Sequence, residues 1–269
     1  MISNSFIIPN SPLTRNLVYS CWEVSRHNEQ VLQETIIPKG LIEIIFRFET
    51  APALVNINNL MQKVPRCFVQ GYNTTPVHIN LGTGHNMFGV VLSPSAIKHL
   101  FNHHPSEFTN RMVDLSLVDG NLRSLWNHLG EQNSFKDRVN VFTNWLAQKQ
   151  VNLSSREKAF DAYLKSHSNI HLSVDDLANQ FCYSTKQLSR KLYELTGMNT
   201  ERTLLYKRYL HSVHLIHTSN LSLTEIAYQS HFYDQSHFTR TFKSLSQLTA
   251  KEYRRRKAAL EGHIFDIVS

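Results

Sequence analysis

His231-Phe-Tyr-Asp-Gln-Ser-His-Phe-Thr-Arg-Thr-Phe-Lys243 decides how the rest of the chain is read. Just before it, Ser222-Leu-Thr-Glu-Ile-Ala-Tyr-Gln-Ser230 has the pattern of a short helix. Ser222 with Glu225 makes a capping box, and Leu223, Ile226 and Ala227 share one face. His231-Phe-Tyr is a tight connection. Asp234 then caps a second helix in which Phe238 and Phe242, at i and i+4, point inward. Gln235, Ser236, Thr239, Arg240 and Lys243 are left on the outer side. Hydrogen-bond formers and cations on a short second helix are what the major groove of DNA requires. Helix, tight turn, helix with a polar and basic second helix is the helix-turn-helix pattern.

The pattern occurs once more upstream. Leu172-Ser-Val-Asp-Asp-Leu-Ala-Asn-Gln180 aligns with Leu221-Ser-Leu-Thr-Glu-Ile-Ala-Tyr-Gln229 at an offset of 49, and Ser184-Thr-Lys-Gln-Leu-Ser-Arg-Lys-Leu192 aligns with Asp234–Phe242 at an offset of 50. Leu188 matches Phe238, Arg190 matches Arg240 and Leu192 matches Phe242. Two such motifs in tandem, with matching core and matching Arg, are a far more specific signal than one.

On these residues the segment from about Ser155 to Lys257 resembles the DNA-binding domain of the AraC/XylS regulator family. The matching stretches are Leu177-Ala178, Ser184-x-x-x-Leu-Ser-Arg190, Leu195-Thr-Gly-Met198, Ile226-Ala227, Asp234–Phe242 and Glu252-Tyr-Arg254. The resemblance implies a sequence-specific DNA-binding transcription regulator, more often an activator than a repressor, with double-stranded DNA and RNA polymerase as partners. It also implies that a linker helix sets two recognition helices parallel, one DNA turn apart, so that one chain reaches two successive major grooves. Three departures stand out. The family's glycine in each helix-helix turn is Cys182 or His231 here, its Gly and Pro near the last helix are Ser246 and Ala250, and its linker-helix Ala is Val213. Where the turn still needs positive φ, each replaced glycine costs about 1–2 kcal/mol.

At 269 residues the chain has room for two domains, set here at 1–150 and 155–258. Charge divides unevenly. Residues 155–257 hold 16 Lys+Arg against 9 Asp+Glu, whereas residues 1–154 hold 12 against 10. The basic excess lies on the tandem helical segment, as expected of a surface that meets phosphates. No apolar run is long enough to span a membrane and no secretory leader pattern opens the chain, so a soluble, cytoplasmic protein is expected. Cys21, Cys67 and Cys182 are dispersed, without zinc or redox spacing, which suits a reducing compartment. That dispersal also argues against DNA-repair proteins with a similar domain, which carry clustered reactive cysteines.

The first hundred residues read as β-rich. In Leu41-Ile-Glu-Ile-Ile-Phe-Arg-Phe-Glu49, Ile42, Ile44, Phe46 and Phe48 alternate with Glu43, Arg47 and Glu49, the pattern of a half-buried strand. Arg66–Gln70, Val77–Leu81 and Met87–Leu92 are further strands, punctuated at Pro38-Lys-Gly40, Gly71-Tyr-Asn73 and Gly82-Thr-Gly84. Ser93-Pro94 opens a helix to about Asn102. Leu122, Leu125, Trp126 and Leu129 form one helical stripe. Phe135, Val139, Phe142 and Leu146, capped by Ser134 with Asp137, form a second, and together they predict a helical hairpin. Short strands with regular turns suggest a small sandwich or barrel, so the fold class is α+β: a β-barrel with a helical hairpin, followed by an all-α domain of two helix-turn-helix motifs joined by a linker helix. The order of these parts resembles full-length members of the same family, which implies that the barrel is cupin-like. By the same resemblance, on Leu17-x-x-x-x-Trp22, Ile37-Pro-Lys-Gly40 and Phe88–Pro94, the barrel binds a small-molecule effector, pairs protomers into a homodimer, or both.

Catalytic and metal chemistry find no constellation. His78 and His85 are the candidate barrel ligands, without an H-x-H pair or nearby Glu, and read as surface or satisfied histidines. His99, His103 and His104 read as solvated, and no paired-carboxylate, Ser-His-Asp or phosphate-loop motif appears. No catalytic residue, metal or cofactor is expected, so a DNA-tethered enzyme ranks last among the readings. In the helical segment, Ser154 with Glu157 caps a first helix to about His167, with Ala159, Phe160, Tyr163 and Leu164 inside. Ser173 with Asp176 and Ser184 with Gln187 cap the next two, and Gly197 ends the third. A longer helix, about Thr200 to Thr218, turns Leu204, Leu205, Tyr209, Val213 and Ile216 inward, and Thr249 with Glu252 caps the last. Helix position then assigns DNA contact to Thr185, Lys186, Gln187, Ser189 and Arg190 in the first motif and to Gln235, Ser236, Thr239 and Arg240 in the second. Arg forks onto guanine and Gln onto adenine, whereas Thr239 fits phosphate better. Lys243, Arg254 and Arg255 are candidate phosphate contacts.

Overall fold

A computed structural model describes residues 2–8, 14–26, 32–49, 53–57, 60–81 and 85–267. Nine strands come first: β1 (Ile2–Ile7), β2 (Val18–Arg26), β3 (Leu32–Ile36), β4 (Ile42–Arg47), β5 (Leu54–Ile57), β6 (Leu60–Lys63), β7 (Cys67–Gln70), β8 (Val77–Leu81) and β9 (His85–Leu92). α1 (Pro94–Phe101), a 3-10 turn at Pro105–Phe108, β10 (Met112–Asp114), α2 (Leu122–Gly130) and α3 (Phe135–Gln148) follow. The helical half holds α4 (Ser155–Lys165), α5 (Val174–Gln180), α6 (Thr185–Thr196), α7 (Thr200–Thr218), α8 (Leu223–Gln229), α9 (Gln235–Ser246) and α10 (Ala250–Arg256). The chain then returns as β11 (His263–Ile267). The fold is α+β. The punctuation at Gly82-Thr-Gly84 lies outside the described residues, as does the His85 side chain.

Two antiparallel sheets form the N-terminal half, one in the order β1-β2-β9-β4-β7-β10 and one in the order β11-β3-β8-β5-β6. The expected hairpin α2–α3 packs on the back of the first sheet. Phe142 lies against Phe46 and Phe88, with ring centroids 6.2 and 6.3 Å apart, and Trp126 Nε1 donates to Arg47 O at 2.7 Å. Its apolar stripe thus builds this core.

One expectation fails here. The alternation in β4 predicts a half-buried strand with Glu43 and Arg47 on its open side, but every residue of β4 is buried. That side faces the interior between the sheets, and its polar groups are matched there. Glu43 accepts from Trp22 Nε1 at 2.9 Å, while Arg47 donates to Glu49 at 2.8 Å and to Val64 O at 2.8 Å. Alternation of apolar and polar residues marks two faces of a strand but not which is wet. The Trp22 ring lies against Gly89 across the β2–β9 pair, where a Cβ would come within 2.1 Å of it.

The helical half is seated on the sheets at several points. Asp161, 3% exposed, accepts from Ser95 N (3.1 Å) and Ser95 Oγ (2.9 Å) at the start of α1. Burial pushes its carboxyl up to about 6, against the Ser93 and Ser95 hydrogen bonds. The inner face of α4 is thus Phe160, Asp161, Tyr163 and Leu164, and Ala159, expected inside, is exposed. His99 is exposed, as expected, and lies 3.0 Å from Glu157 of α4. Thr109 Oγ1 donates to Thr196 O at 3.0 Å, at the end of α6. On α7, Tyr206 OH accepts from Gly40 N (3.0 Å) and donates to Asn73 O (2.7 Å).

Candidate nucleic-acid interface

The repeat seen in the sequence is a repeat in three dimensions. In the first unit, α5 and α6 pack through Leu177, Leu188, Leu192 and Leu195. In the second, α8 and α9 pack through Ile226, Ala227, Phe238 and Phe242. Local capping fixes each helix start, because the side chain satisfies backbone donors that the helix itself leaves free. Capping boxes form at Ser154/Glu157, Ser173/Asp176, Ser184/Gln187, Ser222/Glu225 and Thr249/Glu252. Asp234 accepts from His237 N at 2.6 Å.

The two turns are matched bond for bond. Cys182 N donates to Asn179 O (3.1 Å) and Tyr183 N to Ala178 O (2.9 Å); His231 N donates to Tyr228 O (3.0 Å) and Phe232 N to Ala227 O (3.1 Å). Cys182 has φ 53° and His231 φ 55°, so both turns keep the left-handed conformation that suits glycine. Gln247, at φ 59°, holds the left-handed cap of α9, one residue beyond the Ser246 that the resemblance pointed to. Cys182→Gly and His231→Gly are each expected to raise stability by up to about 1 kcal/mol, the relieved strain less the greater freedom of glycine in the unfolded chain. Urea melts would show it, and an unchanged or lower midpoint for both would mean that the turns are unstrained.

The change of offset from 49 to 50 also has a physical identity. Tyr233 is the extra residue of the second turn, and it stands 93% exposed at the entry to α9. It was not among the sequence-predicted contacts, although the slipped register marked its place.

Gln235, Ser236, Thr239 and Arg240, at i, i+1, i+4 and i+5 of α9, share one open, exposed helix face. Gln235 Oε1 accepts from Thr224 Oγ1 at 3.2 Å, which braces α9 against α8. Thr239 Oγ1 donates back to Gln235 O at 2.8 Å. Ser236 and Arg240 are exposed. On α6, Thr185, Lys186, Gln187 and Arg190 are exposed and Ser189 is half-buried. Gln187 is partly committed, since its Oε1 accepts from Ser184 N at 2.9 Å. Arg190, with 86% of its side chain exposed, lies only 3.5 Å from Glu194 in a solvated pair. Lys243 and Arg255 are exposed, whereas Arg254 donates to Leu221 O at 2.9 Å and braces α10 against the start of α8. A cleft of about 710 Å³ adjoins α9, lined among others by Arg208, His211, His231, Tyr233 and His237. Among the described residues, no group of three or more His, Cys, Asp or Glu is placed to hold a metal ion, and no helix is long and apolar enough to cross a membrane.

Comparison with known proteins matches two separate stretches of the chain. The family described as "Helix-turn-helix domain" matches residues 177–256, and "Domain of unknown function (DUF6597)" matches residues 5–114. The HTH-type transcriptional activator RhaS of Escherichia coli (strain K12 / DH10B) is 34% identical over 98 residues, 36% of this chain and 35% of the relative. The match thus spans about a third of the length of these curated relatives. Among solved structures, ToxT from Vibrio cholerae is similar over 94% of this chain and 98% of its own at 13% identity and a TM-score of 0.48. The C-terminal domain of the response regulator yesN from Fusobacterium nucleatum covers 37% of this chain and 97% of its own at 28% identity, TM-score 0.33.

Proposed function

We propose that this chain, a member of the AraC/XylS family by its C-terminal tandem helix-turn-helix domain, is a sequence-specific DNA-binding transcription regulator and not an enzyme. It reads two successive major grooves with α6 and α9, and it activates transcription through RNA polymerase. The observation that carries the reading is the repeat itself. Two helix-turn-helix units joined by α7 each present an exposed polar face with an arginine at the matching position, Arg190 and Arg240. The activator sense draws support from the curated name of the RhaS relatives. The sheets of residues 1–150 take the sensing or pairing role, with a small-molecule effector or a second protomer as partner, and residues 155–258 form the DNA-binding domain. The protein works where its DNA is, in the cytoplasm.

Selection of bound duplexes from a random library at near-physiological salt tests this. Two enriched blocks about one helical turn apart are expected. No enrichment over random duplex, with and without cell extract as an effector source, would refute sequence-specific reading. On the selected site, Lys243→Ala and Arg255→Ala are each expected to weaken binding evenly across sequences and to lower the salt slope by about 1. An unchanged slope would remove that residue from the phosphate contacts.

A further inference from the structure

The segment after α10 reaches back to the sheets. Ala258 N donates to His263 O at 2.9 Å, closing a turn. β11 then pairs antiparallel with β3, from His263 opposite Ile36 to Ile267 opposite Leu32. Ile37 N donates to Gly262 O at 2.9 Å, and Ile264 is 1% exposed. The same segment grips the helical half. Gly262 N donates to Tyr253 OH at 2.9 Å, Arg256 pairs with Asp266 at 2.7 Å, and Glu261 lies 3.3 Å from His214 Nδ1.

A line of hydrogen bonds crosses from the first sheet to the second through this tail. Trp22 Nε1 donates to Glu43 Oε1 at 2.9 Å. Lys39 Nζ lies 3.3 Å from Glu43 Oε2 and 3.2 Å from His263 Nε2. His263 Nδ1 lies 2.5 Å from Glu34 Oε1. An ammonium only donates and a carboxylate only accepts, so the neighbours fix His263 as the neutral tautomer with its proton on Nδ1. Burial first, then Lys39, holds this imidazole below its ordinary pKa against the pull of Glu34. Glu34 is 7% exposed, and the tail supplies its donor. A seat this specific, at both ends of the line, is more than a chain end resting on a sheet.

The first helix-turn-helix unit is fixed to the N-terminal half through Asp161, Glu157 and Thr196, and α7 is fixed through Tyr206. Among the described residues, the hydrogen bonds and ion pairs that connect α10 of the second unit to the sheets run through the tail. We infer that the tail is a strap that sets the second reading unit against the first, with His263 and Glu34 as positioning residues for two-groove reading. This rests on the proposed reading of the chain as a two-helix DNA reader. The spacing between the two recognition helices is then a property of the sheets as well as of α7, and loosening the strap relaxes the spacing without touching the residues that meet DNA.

The test uses the full chain without DNA. Spin labels on the exposed Cys182 and on Lys251→Cys, with Cys21 and Cys67 buried, report the distance between the two units. His263→Ala, and separately termination after Lys257, are expected to broaden the distance distribution about twofold. His263→Asn, whose amide can still donate to Glu34, is expected to restore the narrow distribution, which a general loss of packing would not allow. With DNA, the same two broadened forms should accept an inserted base pair between the two blocks that the parent rejects. An unchanged distribution in a folded His263→Ala overturns the strap, because α7 alone then sets the spacing. If the parent selects no paired blocks, the DNA reading fails, and the spin-label result still decides the strap.

Discussion

Replacing Arg240 by alanine is expected to relax sequence preference at one base position in one of the two blocks and to weaken binding to the preferred duplex by about 1–3 kcal/mol, or 5- to 150-fold. Arg240 sits one turn beyond Ser236 on the exposed face of α9 that it shares with Gln235 and Thr239. Two of its neighbours are committed elsewhere: Thr239 Oγ1 donates to Gln235 O, and Gln235 Oε1 accepts from Thr224 Oγ1. That leaves the guanidinium as the long, adaptable donor on this face, suited to a bidentate contact with guanine. Its exposure means that the substitution removes little packing, so a melting temperature close to the parent's is part of the expectation. Equal weakening on all sequences would identify Arg240 as a phosphate contact instead. Full retention of specificity would remove it from the interface.

Lys207→Ala is expected to give the largest loss of stability, about 3 kcal/mol or more. Lys207 is 3% exposed, an unusual place for an ammonium. Its Nζ donates to Tyr163 O at 2.5 Å and Ser166 O at 2.6 Å, so it caps the C-terminal end of α4 from α7 and lies 4.4 Å from the Tyr163 ring centroid. Alanine strips both carbonyls of their donor and leaves a cavity. Methionine restores the volume but not the donor, so Lys207→Met should recover only part of the loss. Burial pulls this lysine down to about 8 from an ordinary value of 10.5. The unfolded chain therefore holds the proton more tightly, and the cost of ionising the buried amine falls as pH rises. Parent stability should climb between about pH 8 and 10.5, and Lys207→Met should abolish that climb. A loss below about 1 kcal/mol for Lys207→Ala, or the same pH slope in both proteins, would sink this account.

What the sequence disclosed was local. The Ser154, Ser173, Ser184, Ser222 and Thr249 caps act within three residues of themselves, so their helices could be placed from spacing alone. The family resemblance, through its turn glycines, pointed to Cys182 and His231, and both turns keep the left-handed conformation without them. What stayed hidden depends on partners far along the chain. Nothing near Asp161 announces that it meets the start of α1, sixty-six positions away. Glu43 and Arg47 looked wet because polar residues at period two usually are, and a second sheet is what covers them. The brace that Arg254, a candidate phosphate contact, makes to the Leu221 carbonyl stayed hidden because its acceptor belongs to backbone that a sequence pattern does not show. The helical repeat was therefore more legible than the sheets, and the groove-facing side chains were more legible than the struts behind them.

The Glu34–His263 contact joins residues 229 positions apart. Closing a disordered loop of that length costs about 5 kcal/mol, more than a five-residue strand is placed to return. The pairing of β11 becomes favourable only after the intervening helices have folded and carried the chain back to β3. β11 is then the last strand to join, and until it does β3 presents a bare edge of the kind that recruits strands from other molecules. The period of greatest exposure to self-association is thus the assembly of the chain, and the rate at which the helical half folds decides how long that period lasts.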